Sequence, residues 1–298
     1  MSKKYDLRQA ERQRYAMRYI WPALIYLGCV LFIPLAFSVV ASFFRWDLMP
    51  ERIQFAGLNN YERIFSSEET LNSVSITVRF MLMTVSAEMI LGFLIAMFLN
   101  AKFKGNRFVR VVVLLPMMLS PTVVALMWKM ILNADRGILN HLLSLPLGKG
   151  AQQVWLGKDW AFFTIIAVDI WMNTSFVVLT ALAGLQSIST EIIEAARIDG
   201  ANGLQRTFHV VLPMMRQIIL VALIFRTTFA LRNFPLPWVL TAGGPANLTN
   251  VFGIELYKQA FQYYHIGYAS AMSWLLILVT FGFSVLYTRV TLQKESKA

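Results

Sequence analysis

Residues 74–99 read VSITVRFMLMTVSAEMILGFLIAMFL, an apolar run of 26 residues whose only charged side chains are Arg79 and Glu88. About 20 helical residues cross the ~30 Å hydrocarbon core of a bilayer, so this stretch is long enough to span it. In lipid, a helix pairs the backbone N–H and C=O groups of a single segment with one another. The sequence therefore predicts a transmembrane helix here.

Five further runs have a comparable length, and the bulk composition agrees with them. The chain is 57% hydrophobic and 14% charged, whereas soluble domains are about 45–50% apolar and about 25% charged. We predict an all-α polytopic membrane protein, with one membrane domain over 20–290 between tails at 1–19 and 291–298. The first run is too long for the ~7–15 residue core of a cleaved signal peptide, so we expect an uncleaved anchor. The six predicted spans are 20–44, 74–99, 111–132, 161–182, 218–240 and 268–287.

The placement of the basic residues argues against nucleic-acid binding and predicts the orientation. The net charge is +11, but Lys and Arg fall in short links between the apolar runs rather than on one stripe. The N-terminal tail, the links 102–110 and 197–216 and the tail from residue 289 hold 16 basic residues, against 7 in the alternate links. Basic residues concentrate on the cytoplasmic side. We therefore predict that both termini are cytoplasmic.

Catalytic and metal-binding patterns are not evident. The chain has one cysteine, Cys29, and three scattered histidines, so we expect neither a disulfide within the chain nor a metal site. Gly148-Lys149-Gly150 has neither the spacing nor the hydroxyl of a phosphate-binding loop. We expect no cofactor and no enzymatic activity in this chain.

Residues 187–213, SISTEIIEAARIDGANGLQRTFHVVLP, lie in a predicted cytoplasmic link. Ser189 or Thr190 can cap the start of a short helix, and Gly200 can end that helix through a left-handed turn. Asn202 then allows a second short helix that leads into the fifth span. Helix chemistry alone leaves an ordinary surface helix as the alternative.

The ordered residues of this segment resemble the coupling loop of importer permeases in the ATP-binding-cassette class. The resemblance narrows to sugar-uptake permeases of the maltose type through short motifs along most of the chain. Two departures concern Pro235 and Pro237, which follow Phe234 where that family often has an acidic residue, and Gln217, where a proline is common. The motifs are Gly57–Tyr61, Leu114-Leu115-Pro116, Ser120-Pro121-Thr122, Ile170-Trp171, Ala183–Gln186, Leu240–Pro245 and Gly267–Ala271.

The resemblance implies both a mechanism and partners. The loop would dock on a cytoplasmic ATPase dimer, which would hold ATP and Mg, while a second similar permease and a periplasmic binding protein would complete an inner-membrane sugar importer. The residues assigned to ATPase coupling in this way are Glu194, Ala195, Ala196, Asp199, Gly200, Ala201, Leu212 and Pro213.

Polar residues inside the spans are costly and usually functional. Helical spacing places two sets on common faces, Asp169, Asn173 and Phe176 on the fourth span and Arg226, Phe229 and Asn233 on the fifth. Polar groups beside an aromatic ring suit a sugar, so these six residues are candidates for the substrate pathway. The alternative is an Asp169–Arg226 pair that only ties the helices together.

The remaining charges in the spans leave other functions open. Arg79 and Lys129 lie near the ends of their spans and can snorkel to the interface. Glu88 lies near the middle of its span, and Arg232 lies at an intermediate depth. The surplus of cations within the spans permits an acidic substrate. Other cargo in the same class, an ion-driven transporter that uses Glu88 or Asp169, and a non-transporting scaffold are the alternatives.

Overall fold

The computed structural model describes residues 2–48, 51–101, 103–147 and 152–295. Three basic residues counted for orientation, Lys102, Lys149 and Lys297, and the end of the predicted C-terminal tail therefore lie outside the described residues. The described part of the chain is mainly helical, with one two-stranded sheet. In chain order the elements are α1 (Ser2–Ser42), β1 (Phe44–Leu48), β2 (Glu51–Phe55), α2 (Asn59–Ser66), α3 (Glu68–Asn100), α4 (Asn106–Leu114), α5 (Pro121–Ile131), α6 (Ile138–Leu147), α7 (Ala161–Ser187), α8 (Thr190–Ile198), α9 (Gly203–Arg206), α10 (Leu212–Met214), α11 (Arg216–Leu231), α12 (Pro235–Thr241), α13 (Phe252–Tyr257) and α14 (Ile266–Glu295).

Four of these helices are long and apolar enough to cross a membrane. They are α1 over Arg18–Ser42, all of α3, all of α7 and α14 over Ile266–Arg289. They confirm long apolar helices at the predicted spans 20–44, 74–99, 161–182 and 268–287, with the first ending two residues early at Ser42. The helix of α1 also continues back to Ser2, through the predicted tail.

The predicted third and fifth spans are broken rather than straight. The segment Asn106–Met118 and helix α5 form an angle of 103°, and α5 begins at Pro121 after the extended residue Ser120. A proline lacks an N–H and disfavours helical geometry in the residue before it, which explains the break. The number of spans reaches six if each bent pair counts as one.

The fifth span fails to run to Leu240 for the same reason. Helix α11 ends at Leu231, and α12 starts at Pro235 with Pro237 close behind. At its other end α11 forms a 72° angle with the segment Gly203–Met214. Helix α11 is therefore a short rod of 16 residues between two bends.

One compact unit comprises Met1–Ile64 and Lys258–Trp274. It contains an antiparallel hairpin of β1 and β2, which the all-α prediction missed. The Asn60 amide donates hydrogen bonds of 2.8 Å to the carbonyls of Ser42 and Phe44 and so fixes the turn from α1 into the hairpin. The Arg63 guanidinium lies 4.3 Å from the ring centre of Tyr268.

The other unit comprises Phe65–Tyr257 and Leu275–Ala298. Its core is the close pairing of α3 with α7, where Gly92 allows contact with the Val177 side chain. Ala96 and Leu99 of α3 and Val178 of α7 are fully buried there. This pair is the frame against which α11 and the broken segments lie.

Candidate functional site

A cavity of about 550 Å³ lies among α5, α7, α11 and the break before α12. All six candidate pathway residues line it, so the faces predicted from helical spacing do meet. Arg232, which the sequence places at an intermediate depth in the fifth span, also lines this cavity. The other lining residues are apolar: Met117, Leu119, Pro121, Met172, Pro235 and Leu236.

Arg226, which lines the cavity, belongs to a buried ion pair between α3 and α11. Arg226 is 4% exposed and Glu88 is 0% exposed. The Nε and Nη2 atoms of Arg226 donate to the two Glu88 carboxylate oxygens at 2.7 and 2.9 Å. A bidentate guanidinium–carboxylate pair has both directional hydrogen bonds and charge attraction.

The Asp169–Arg226 pair expected as the alternative is present, but Arg226 has a closer partner. Asp169 does approach the same guanidinium, but its Oδ2 atom lies 3.5 Å from Nη2, too far for a strong hydrogen bond. The main partner is Glu88, which lies 138 residues away in sequence. Helical periodicity had placed each residue on a face of its own helix, but could not tell which faces meet.

Asp169 joins the fourth span to the broken end of the fifth. Its Oδ1 atom accepts a hydrogen bond of 2.8 Å from the Asn233 amide. Its Oδ2 atom is buried and makes no hydrogen bond within the described residues. A buried acceptor without a donor is unfavourable, so a hydroxyl group entering the cavity would find a partner here.

The cavity also presents an unneutralised cation and aromatic rings. Arg232 is exposed and forms no ion pair among the described residues, whereas Arg226 is paired with Glu88 and Asp169. The rings of Phe176 and Phe229 both pack against Phe225, with centroids 6.1 and 6.4 Å apart. The arrangement can therefore contact an apolar face, a hydroxyl group and a negative charge together.

The segment 187–213 folds as two short helices, as predicted. Gly200 has φ +83°, and the N–H groups of Gly200 and Ala201 bond to the carbonyls of Arg197 and Ala196. These two hydrogen bonds end α8 in a Schellman turn, which requires a residue in the left-handed conformation. Ser189 occupies the N-cap position, but its side chain makes no capping hydrogen bond.

The second helix of this segment starts at a reciprocal cap. The Asn202 side chain accepts from the Gln205 N–H, and the Gln205 side chain accepts from the Asn202 N–H, at 2.9 and 2.8 Å. A π-helical turn over Thr207–Val211 follows, and Leu212-Pro213 then opens α10. No residue of α8 or α9 is buried, and the apolar side chains of Ile198, Leu204 and Phe208 are exposed.

Residues 88–292 match a family model described as "Binding-protein-dependent transport system inner membrane component". The match covers more than half of the chain. The chain belongs to this family. The family match includes the cavity, the buried ion pair and the segment 187–213, so the family predicted from the short motifs is confirmed.

Named relatives of this inner membrane component are transporter permeases. The trehalose/maltose transport system permease protein MalF of Thermococcus litoralis is 39% identical over 246 residues, 81% of each chain. The sulfoquinovosyl glycerol transport system permease protein SmoG of Agrobacterium fabrum is 32% identical over 282 residues, 92% of this chain and 89% of that protein.

A solved structure shares the fold of the inner membrane component. It is a chain in the crystal structure of a bacterial alginate ABC transporter in complex with an alginate pentasaccharide-bound periplasmic protein. The TM-score is 0.82 at 21% identity, with 95% of this chain and 96% of that chain covered. At this identity the likeness establishes the fold alone.

Proposed function

We propose that this inner membrane component forms part of the pathway by which an ATP-driven importer moves a sugar or oligosaccharide into the cell. The observation that carries the proposal is the cavity in which Asp169, Asn173, Phe176, Phe229 and Asn233 converge. Its volume of about 550 Å³ falls within the ~300–1,000 Å³ usual for small-molecule sites. A sugar ring offers hydroxyl groups to the polar side chains and a C–H face to the phenyl rings.

The transported sugar carries a negative charge in this proposal. Arg226 is a poor partner for that charge, because Glu88 holds the Nε–Nη2 edge of its guanidinium and Asp169 lies 3.5 Å from Nη2, so two carboxylates already neutralise it. Arg232 is the cation left to meet a carboxylate, phosphate or sulfonate group. The named relatives include permeases for a neutral disaccharide and for a sulfoquinovosyl compound, so the relatives are compatible with either charge.

The segment 187–213 transmits the ATPase cycle to the membrane helices. Its exposed apolar side chains on short helices suit a protein partner, and α11 follows directly after a 72° bend. Movement of α8 would therefore reach α11, which carries Arg226 and the cavity face. The partners are a cytoplasmic ATPase dimer that binds ATP and Mg, a second permease and a periplasmic binding protein. The chain lies in the bacterial inner membrane with both termini on the cytoplasmic side.

An ion-driven mechanism is less well supported. Glu88 is held by two hydrogen bonds to Arg226 and is not free to bind a cation. Such a mechanism would also leave the exposed apolar residues of α8 and α9 without a role. Asp169 is the acidic residue in the cavity with an open oxygen.

The test is sugar uptake by cells whose own copy of the gene is replaced by variants. A panel of labelled neutral and acidic sugars is offered to the wild type and to Asn173→Leu, Arg232→Gln and Arg79→Gln. Arg79 is an exposed arginine of α3 that does not line the cavity, so Arg79→Gln is the charge-matched control.

Asn173→Leu should reduce uptake of the transported sugar, because an apolar side chain replaces a polar group in the cavity. Arg232→Gln should raise KM for the acidic sugar by about tenfold or more, the effect expected when a charged hydrogen bond is lost. If uptake requires this chain but Arg232→Gln and Arg79→Gln change it equally, the assignment of an acidic sugar is overturned. Uptake of no sugar by wild-type cells would overturn the proposed function itself.

A further inference from the structure

A second cavity, which shares no described lining residue with the candidate pathway, lies at the link between α3 and α4. Its volume is about 800 Å³, and the described residues that line it are Phe103, Lys104, Asn106, Arg107 and Arg110. Three of the five are cationic and none is acidic. A site of this composition favours an anion.

Arg110 and Asn106 form the fixed base of this cavity. Both side chains donate to the Leu99 carbonyl at the end of α3, over 2.9 and 2.8 Å, and Asn106 also bonds to the Ala101 carbonyl. After these bonds, the Nε atom of Arg110 and the Oδ1 atom of Asn106 remain buried without a hydrogen-bond partner. Asn106 thus offers an acceptor, and the Arg110 guanidinium offers a donor and an unneutralised charge.

Lys104 and Arg107 complete the anion-binding side. Both are exposed, and neither forms an ion pair within the described part of the chain. Arg107 and Arg110 are three residues apart on α4, so they lie on one helical face. Guanidinium groups match the oxygens of a phosphate better than a point charge does.

The surroundings of the cavity favour a phosphate that belongs to a lipid. The cavity adjoins the end of a membrane-spanning helix, where the rings of Phe98 and Phe103 pack with centroids 4.9 Å apart. Helix α4 has no buried residue, and Phe108, Val111 and Val112 are exposed beside its basic face. Basic residues next to exposed apolar ones at a span end are typical of binding to anionic lipids.

We propose that this cavity, Phe103–Arg110, binds the headgroup of an anionic phospholipid. Arg107, Arg110 and Lys104 hold the phosphodiester, and the open oxygen of Asn106 accepts a hydrogen bond from a hydroxylated headgroup such as glycerol. The topology signal accounts for basic residues in this link, but not for two buried polar atoms that lack partners at the base of a cavity. The proposal does not depend on the transported substrate.

Lipid retention by the purified full-length chain provides the test. The chain in neutral detergent is titrated with dioleoylphosphatidylglycerol or dioleoylphosphatidylcholine, and bound lipids are counted by native mass spectrometry. We expect one phosphatidylglycerol to bind at concentrations where phosphatidylcholine does not. Soluble glycerol phosphate at the same concentration should not displace it, which distinguishes a lipid from a free phosphate.

The decisive comparison is between two double variants with the same change in charge. Lys104→Gln with Arg107→Gln removes exposed side chains of the cavity without disturbing the bonds to Leu99. Each basic residue near a membrane surface contributes roughly fivefold, so this variant should bind phosphatidylglycerol about 30-fold more weakly. Arg18→Gln with Arg289→Gln removes two exposed arginines at the ends of other spans and should bind as the wild type does.

Arg110→Gln provides a second variant that probes the base of the site. It should lose the retained lipid, and the result of the Lys104/Arg107 variant stands even if Arg110→Gln fails to fold. Equal losses in the two double variants would show only general attraction between the cationic chain and anionic lipid. That outcome would overturn the proposal, as would equal retention of the two lipids by the wild type or displacement by glycerol phosphate.

Discussion

Replacing Arg226 by Gln should strongly destabilise the protein, because it leaves two buried carboxylates without their cation. In the ion pair, the side chains of Arg226 and Glu88 are 5% and 0% exposed and their N–O distance is 2.7 Å. Asp169, 2% exposed, lies 3.5 Å from the same guanidinium. Breaking a buried pair on one side costs about 3–5 kcal/mol. At about 2 °C per kcal/mol for a chain of this size, the melting temperature should fall by roughly 6–10 °C.

An exposed ion pair in the same chain supplies the control. Arg45 and Asp47 are 3.1 Å apart, but the Arg45 side chain is 58% exposed. Exposed pairs contribute at most about 1 kcal/mol, so Arg45→Gln should lower the melting temperature by about 2 °C or less. The assay is thermal unfolding of the detergent-purified chain followed by the fluorescence of its eight tryptophans.

A double variant separates the cost of an orphaned charge from simple loss of packing. Glu88→Gln with Arg226→Gln removes both partners, and Asp169 keeps its hydrogen bond from Asn233. The double variant should therefore be less destabilised than the sum of the two single variants by about 0.5–3 kcal/mol. Equal shifts for Arg226→Gln and Arg45→Gln, or full additivity in the double variant, would refute the reasoning.

Three further predictions concern packing, the α8 terminus and pH. An alanine Cβ at Gly92 would lie 2.6 Å from side-chain atoms of the facing helix, whereas a Cβ at Gly282 would meet nothing within 4 Å. Gly92→Ala should therefore lower the free energy of unfolding by about 1–3 kcal/mol, and Gly282→Ala should not lower it. Thermal unfolding of both variants measures the difference. Gly200 has φ +83°; uptake should therefore fall more in Gly200→Val than in Gly200→Asn, because asparagine tolerates a left-handed conformation, and equal uptake by both would contradict this. Burial and the nearby cation of Arg63 lower the pKa of His265, so the folded state binds fewer protons than the unfolded state and stability should fall as pH drops through about 6.5. Replacing His265 by Gln should flatten that part of a profile of melting temperature against pH, and an unchanged profile would contradict the prediction.

The features predicted correctly from sequence are the ones that depend on local chemistry. Four spans follow from the length of their apolar runs, since a bilayer requires that length wherever the helix packs. The end of α8 at Gly200 and the start of α9 at Asn202 follow from helix capping, which involves residues within one turn of each other. These elements needed no knowledge of the tertiary structure.

Prolines mark the breaks in the third and fifth spans, but the spans were predicted as continuous helices. Pro121 and Pro235 each stand at the first residue of a new helix, yet the mean hydropathy of each predicted span stays high with its break included. Hydropathy reports whether residues tolerate lipid and does not report whether the helix stays straight. The hairpin was missed because the alternation of Phe44, Trp46 and Leu48 with polar residues is short and directly follows a long apolar helix.

The pairing of Glu88 with Arg226 could not be predicted from periodicity. The two residues lie on different helices, and helical spacing fixes a face but not its neighbour. The structure also changes which arginine suits an anionic substrate, because the guanidinium of Arg226 is occupied while that of Arg232 is not. Both conclusions required the packing of α3 and α7 against α11.

The most direct test of the central claim, that the chain is one permease of an ATP-driven importer, is affinity purification of the tagged chain from gently solubilised membranes. Quantitative mass spectrometry then gives the molar amounts of the proteins that accompany it. The account predicts an ATPase at two copies and a second permease at one copy for each copy of this chain. Recovery of the chain alone, or of a homodimer that still performs ion-driven uptake, would contradict the account and assign the driving ion to Asp169.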